Sequence, residues 1–300
     1  MSKEEIIISG AENYQLSLTV YEGKNAKANI IFIHGMEEHQ GRYEPFATFL
    51  KDNGYNVVTS DLRGHGNNAP LLSHIAKRRG DKLLIEDQKE ITKYVKGRFP
   101  NLPTYLFAHS MGTIITRVLL QSNSKEYDKV ALSGYVNPNP ASPVAVCLGN
   151  ITRVFKGGKG HSKLLTILAL GNFVKSVKNR KTVLDWLSFN ENNVKKYIED
   201  PLCGVEFTVG SYCALFHLLN NMAKKRKYKN LHTEMPILLI AGKDDPCTGF
   251  DKGRTASKKL LNKVGFKDVS VITYENMRHE ILNENENEKV YQDLLEFFNK

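Results

Sequence analysis

Three hundred residues, 41% of them hydrophobic, suit one large domain or one domain with an insertion, and no internal repeat or low-complexity segment interrupts them. No apolar stretch is long enough to span a bilayer, no secretory leader opens the chain, and the cysteines at 147, 203, 213 and 247 lack paired spacing. These features argue against membrane-spanning, metal and redox classes and read as a soluble, cytoplasmic protein with free thiols. The formal charge of +10 lies entirely within residues 137–230, which hold 15 Lys and Arg against 5 Asp and Glu, whereas the remainder holds 27 against 27.

In chain order, two alternating apolar runs, 6–9 and 16–21, flank the turn signal Gly10-Ala11-Glu12-Asn13 and predict an antiparallel hairpin at a sheet edge. Strands and helices then alternate: strand 29–33, helix 43–53, strand 55–59, helix 84–97, strand 104–107, helix 112–120 and strand 129–132. The rhythm stops at Asn137-Pro138-Asn139-Pro140 and resumes after residue 230 with strand 236–240, helix 253–264, strand 269–273 and helix 289–298. Continuous apolar strands separated by helices predict a mostly parallel sheet covered on both faces. The stretch 137–230 reads as a mainly helical insertion, because the sheet needs strands from both sides of it. Its apolar segments are 164–173 and 207–219, and it ends in the basic run Lys224-Lys225-Arg226-Lys227.

Ser110, in Ala108-His109-Ser110-Met111-Gly112, falls where a buried strand ends and a helix begins. On such a sharp turn a serine hydroxyl is presented at the carboxyl end of the sheet, with backbone N–H groups pointing the same way. A serine hydroxyl is a weak nucleophile and needs a base within hydrogen-bond reach and an acid to orient that base. In sheets of this kind the order is Ser, Asp or Glu, His. The acid candidates after strand 236–240 are Asp244 and Asp245. Asp245 is preferred because Pro246 restricts its backbone to an extended form. Of nine histidines, only His279 combines the right order with a loop at the right edge of the sheet. Two amides are needed for the oxyanion. Met111 supplies one and the loop after strand 29–33 the other, assigned to Met36. Gly35 lets that backbone approach the substrate, and His34 shapes the loop. Asp61 and His65 carry polar groups at the same sheet edge and are expected to form a turn that buttresses the loop, with a catalytic role for either as the alternative.

Taken together, Ile33-His34-Gly35-Met36, Glu38-His39, Arg42-Tyr43, Asp61-Leu62-Arg63-Gly64-His65-Gly66, His109-Ser110-Met111-Gly112 and the run 278–284 resemble the monoglyceride lipase and lysophospholipase branch of the α/β-hydrolase fold. That branch is also associated with serine aminopeptidases. Within the insertion, 185–188 and 200–204 resemble segments of bacterial members. The resemblance implies an α/β-hydrolase core over 1–136 and 231–300 and a helical cap over 137–230. It also implies a Ser110–Asp245–His279 triad, a Met36 and Met111 oxyanion hole, and no metal or organic cofactor. Two positions depart from the family: Ala108 and Glu37 each stand where glycine is usual, and Glu37 places an extra carboxylate near the site.

As a cap, the insertion would help to set an acyl pocket. Leu164, Leu165, Ile167, Leu168, Leu170 and Phe173 could line it, as could part of the 207–219 helix. The basic excess suits a cap that makes transient contact with an anionic membrane surface or meets a phosphate-bearing head group, rather than nucleic acid, because no recognised nucleic-acid module is present. Gly157, Gly158 and Gly160 suggest a mobile loop suited to lid opening. The activity so implied is a serine hydrolase that cleaves a carboxylic ester of a single-chain lipid, a monoacylglycerol or lysophospholipid. The alternatives are a short-chain carboxylesterase or thioesterase, a serine aminopeptidase, and a binding protein that retains the fold without turnover.

Overall fold

The apolar runs become strands β3 (Asn29–Ile33), β5 (Thr104–His109), β6 (Lys129–Ser133) and β7 (Ile237–Gly242), with almost every residue buried. Together with β1 (Lys3–Ser9), β2 (Gln15–Tyr21), β4 (Asn56–Ser60) and β8 (Val269–Tyr274) they make one eight-stranded sheet in the order β1-β2-β4-β3-β5-β6-β7-β8. The computed structural model describes residues 3–300. β1 and β2 form the expected antiparallel hairpin at the edge, and β2 pairs antiparallel with β4. All later pairs are parallel.

Successive side chains of a strand point to opposite faces, which is why these strands read as continuous apolar runs rather than alternating ones. Ile30, Phe32, Tyr105, Phe107, Leu238 and Ile240 pack with α1 (Glu44–Asp52) and α9 (Asn287–Asn299) on one face. Ile31, Ile33, Leu106, Ala108, Ile237 and Leu239 pack with α2 (Gly80–Arg98), α3 (Met111–Asn123) and α8 (Phe250–Val264) on the other. Helices on both faces of this mostly parallel sheet, with the order β1-β2-β4-β3-β5-β6-β7-β8 and an antiparallel β2, give the doubly covered α/β architecture expected from the sequence. Helix α2 starts four residues before the predicted one and α8 three residues before. Both follow residues with positive φ, Arg79 and Gly249, whose backbones redirect the chain without an apolar signal.

Between β6 and β7 the chain adds no strand. It forms α4 (Ser142–Lys156), α5 (Lys163–Ser176), α6 (Glu191–Glu199) and α7 (Val209–Met222). Helix α7 is buried along most of its length, and Phe207, Tyr212 and Leu218 join the core shared with α2 and α3. The glycine loop after α4 packs against neighbouring backbone. Gly210 and Val209 donate their N–H groups to the carbonyls of Gly158 and Gly160, each at 2.8 Å. A Cβ on Gly158 would meet Lys77 Cα at 2.9 Å. Gly158 and Gly160 permit this close backbone packing. Among the described residues no helix is long and apolar enough to cross a membrane.

Candidate active site

The register brings the carboxyl ends of β3, β5, β6 and β7 to one edge, with Ile33 opposite Ala108, His109 opposite Ser133, and Ser133 opposite Ile240. Ser110 leaves β5 there with φ 50° and ψ −119°, a strained backbone for a residue with a side chain. The turn is tight because α3 starts against β3: a Cβ on Gly112 would lie 2.2 Å from Ile33 O. Ala108, the small departure in the elbow, is fully buried without disturbing the strand.

Three side chains from separate loops meet at this edge. Ser110 Oγ and His279 Nε2 are 2.8 Å apart, and His279 Nδ1 lies 3.1 and 3.0 Å from the two oxygens of Asp245. Asp245 is fully buried and His279 nearly so. Asp245 caps the short turn Pro246–Thr248, and its Oδ1 accepts the Cys247 N–H at 2.8 Å, which fixes the carboxylate plane. Asp244, the other candidate, is exposed, and its backbone N–H bonds Met277 O rather than any atom of this group. The carboxylate leaves the Nδ1–H tautomer of His279 to donate to Asp245, with Nε2 free to accept the serine proton. Burial opposes protonation of His279, but the Asp245 charge and hydrogen bond outweigh it and hold the imidazole above its ordinary pKa.

Met36 lies in the loop beside Ser110, where a Cβ on Gly35 would come within 3.0 Å of Ser110 Cβ. The Met111 N–H sits at the first position of α3 and has no intrahelical partner. The loop is braced from behind. His34 donates through Nδ1 to Gly35 O at 2.8 Å and accepts the Leu62 N–H through Nε2 at 2.9 Å. His65 accepts the Glu37 N–H at 3.4 Å, and Asp61 accepts the backbone and side chain of Gln40. Burial lowers His34 to about 4 and His65 to about 3, so both act as neutral struts.

Sequence reasoning left Arg42 and Glu280 without a role. Arg42 is bidentate to Glu280 at 2.6 and 2.7 Å and reaches Glu38 at 2.9 Å. Glu38 in turn accepts the Gly35 N–H at 2.5 Å and the Tyr43 hydroxyl at 2.7 Å. Asn193 on α6 bonds both Arg42 and Glu280. Burial would raise both carboxyls, but Arg42 overcomes it and holds Glu38 and Glu280 below the usual range. The i, i+4 spacing of Glu38 and Arg42 and the adjacency of Glu280 to His279 were the available signals.

Ser110, His279 and Met36 open on a cavity of about 400 Å³, walled mainly by apolar side chains of the inserted segment. Leu168, Leu170 and Phe173 line it as expected, and so do Leu215, Phe216 and Leu219. Leu164 and Ile167 instead face outward, 51% and 61% exposed, while Leu165 is in the core, because α5 is apolar on all sides and only one face meets the cavity. Ala145 and Leu148 of α4 also line the wall, a contribution that sequence reasoning missed.

Among the described residues two groups, Asp245–Cys247–His279 and His39–Asp200–Cys203, bring possible metal-ligand atoms within 4.8 Å of one another. Their atoms are engaged in hydrogen bonds, including His39 Nε2 to Asp200 at 2.9 Å. Burial pushes the Cys203 and Cys247 thiols up, away from the thiolate form that a metal takes.

The family model described as serine aminopeptidase, S33, matches residues 24–286. The chain is 26% identical to phospholipase YtpA of Bacillus subtilis, over 88% of this chain and 92% of that protein. It is likewise 26% identical to a monoacylglycerol lipase of Mycolicibacterium smegmatis, over 88% and 85%. Among solved structures, a thermostable carboxyl esterase from Bacillus coagulans in complex with glycerol matches with a TM-score of 0.88 at 21% identity, covering 100% of this chain and 98% of that one. A lipase in an open form matches at 0.90 and 23% identity, covering 99% and 98%. These two likenesses speak to the fold.

Proposed function

The chain belongs to the serine aminopeptidase S33 family of hydrolases, and on that premise we propose that it cleaves the carboxylic ester of a single-chain lipid, a monoacylglycerol or lysophospholipid, through an acyl-enzyme. The observation that carries this reading is the hydrogen-bonded line from Ser110 through His279 to Asp245 at the wall of an apolar cavity.

In the proposed reaction Ser110 Oγ attacks the ester carbonyl carbon as its proton passes to His279 Nε2. Asp245 stabilises the imidazolium, and the Met36 and Met111 amides hold the developing oxyanion. The carbon–oxygen bond of the ester then breaks, and the alcohol leaves with the proton from His279. Water next attacks the acyl-enzyme, giving one proton to His279 and its hydroxyl to the acyl carbon. The fatty acid departs as Ser110 regains its proton.

Residues 137–230 serve in this reading as the cap that walls the acyl site. Val154, Phe155, Leu164 and Ile167 of α4 and α5 are exposed, next to Lys156, Lys159 and Lys163. That combination supports docking of the cap on an anionic lipid surface. An aminopeptidase would need a free carboxylate for the substrate ammonium. Glu38 is committed to Arg42 and Asp245 to His279, and Glu37, which keeps one oxygen without a partner, has its carboxyl raised to about 7 by burial and so holds an ammonium ion poorly near neutrality, which favours the ester reading.

The test is hydrolysis of p-nitrophenyl esters from short to long chains, followed by monoacylglycerols and lysophospholipids. Each methylene that enters the cavity is worth about 0.8 kcal/mol, so kcat/KM should climb by up to about 4-fold per methylene until the cavity ends. Ser110→Ala should lower turnover roughly 10⁴-fold or more and abolish fluorophosphonate labelling. A preference for the shortest chains would move the assignment to a small-ester or thioester hydrolase. Cleavage of aminoacyl p-nitroanilides without ester cleavage would overturn it.

A further inference from the structure

Glu37 follows Met36 in the oxyanion loop and lines the same cavity as Ser110. Its φ is 57°, a left-handed backbone that glycine adopts freely and glutamate only under constraint. The constraint is visible. Glu37 O accepts the Gly204 N–H at 2.9 Å and the Tyr197 hydroxyl at 2.7 Å, and Glu37 Oε1 accepts the Phe207 N–H at 3.1 Å. All three donors belong to the inserted segment.

One atom is left over. Glu37 Oε2 has no hydrogen-bond partner in the protein, yet it is not fully sealed from solvent, and the residue lines the cavity. A glycine would make the same turn without strain and without placing a carboxyl against apolar walls. A buried acceptor is costly unless a donor satisfies it, and the cavity is where that donor would come from.

We propose that Glu37 Oε2 accepts a hydrogen bond from a hydroxyl of the leaving alcohol, so that the site selects esters of polyols such as glycerol over esters whose leaving group carries a phosphate. This rests on the ester-hydrolase reading above and narrows its substrate class to the neutral monoacylglycerol. The groups facing Glu37 give a phosphate no compensation. Glu206 is of like charge, His65 is neutral, Tyr197 and Tyr212 are un-ionised, and Glu38 is already paired with Arg42. Burial raises the Glu37 carboxyl to about 7, so discrimination against phosphate should sharpen as pH rises through neutrality.

The experiment compares three esters of one acyl chain: a monoacylglycerol, the 3-phosphate of that monoacylglycerol, and a p-nitrophenyl ester, which offers no hydroxyl donor. The proteins are wild type, Glu37→Gln and Glu37→Gly, counted by fluorophosphonate titration and assayed at pH 6 and 8. Glu37→Gly relieves the strained φ, and Glu37→Gln keeps an acceptor for Phe207, so the pair guards against loss of folding. The ratio of kcat/KM for monoacylglycerol to that for the p-nitrophenyl ester should fall about 10-fold in Glu37→Gly, the effect of one hydrogen bond to a charged group. In wild type the preference for monoacylglycerol over its phosphate should be larger at pH 8 than at pH 6, and in Glu37→Gln that pH dependence should vanish. Equal losses on all three esters would overturn the proposal and leave the hydrolase reading standing, with Glu37 reduced to a support for the loop. Wild type that cleaves the 3-phosphate but not the monoacylglycerol would overturn the proposal alone, and wild type that cleaves the p-nitrophenyl ester but neither lipid would overturn both.

Discussion

At the scale of single residues, His279 is set by a contest that Asp245 wins. An imidazole acts as a base only when neutral, and the carboxylate raises its pKa above the ordinary histidine value of 6.5. The acid limb of the kcat/KM profile should therefore have its midpoint above 6.5 and rise with pH. Asp245→Asn removes the charge that raises the pKa and the anchor that fixes the tautomer. The midpoint should move down and kcat should fall by roughly 10³- to 10⁴-fold. Asp244→Asn, altering an exposed side chain, should stay within about 2-fold of wild type. A matched pair of pH–rate profiles checks both. Equal damage from the two substitutions would undo the preference for Asp245, which in the sequence rested only on the restraint that Pro246 places on its neighbour.

The oxyanion loop and the histidine loop are separate elements, and Arg42 joins them. It lies between Glu38, which bonds the Gly35 amide, and Glu280, which follows His279. Arg42→Met would leave two buried carboxylates facing one another without their cation. Breaking a buried ion pair in this way costs about 3–5 kcal/mol, and urea denaturation should show a loss of that size. Glu38→Gln/Arg42→Met/Glu280→Gln, with the charges removed together, should recover much of it. A small loss in the single variant would mean that water already solvates the cluster. This cluster also marks where sequence reading stopped. The strands, their helices and the order Ser110, Asp245, His279 were legible because apolar periodicity and chain order are local or one-dimensional. The union of Arg42 with Glu280 and Asn193, and of Glu37 with Phe207, joins residues more than a hundred positions apart, and no local pattern encodes that. Helix α5 was misread for a related reason. Its apolar residues surround the axis, so periodicity could not say that Leu164 and Ile167 face outward while Leu170 faces the cavity.

Over the whole molecule, charge and apolar exposure coincide. The sheet and its covering helices balance 27 basic against 27 acidic residues, while 137–230 carries the full excess of 10. The same segment exposes Val154 and Phe155 at 80% and 84%, beside Arg153 and Lys156 at the end of α4. Solubility alone would favour the charges and oppose the exposed phenylalanine, whereas a headgroup region accommodates both. The full chain should therefore bind vesicles containing phosphatidylglycerol more tightly than vesicles of phosphatidylcholine alone, and raised salt should weaken that binding. Withdrawing Phe155 from the interface removes about 1.5–3 kcal/mol of apolar burial, so Phe155→Asp should lower the partition coefficient by roughly 10- to 100-fold in vesicle sedimentation. Replacing Lys156, Lys159 and Lys163 with glutamine should weaken binding to the anionic vesicles while changing little on neutral ones, since each basic residue near an anionic surface is worth about 1 kcal/mol. Vesicle binding that ignores both sets of substitutions would move the contact away from α4 and α5. The exposed phenylalanine would then stand without a partner, and the basic excess would reduce to colloidal stability.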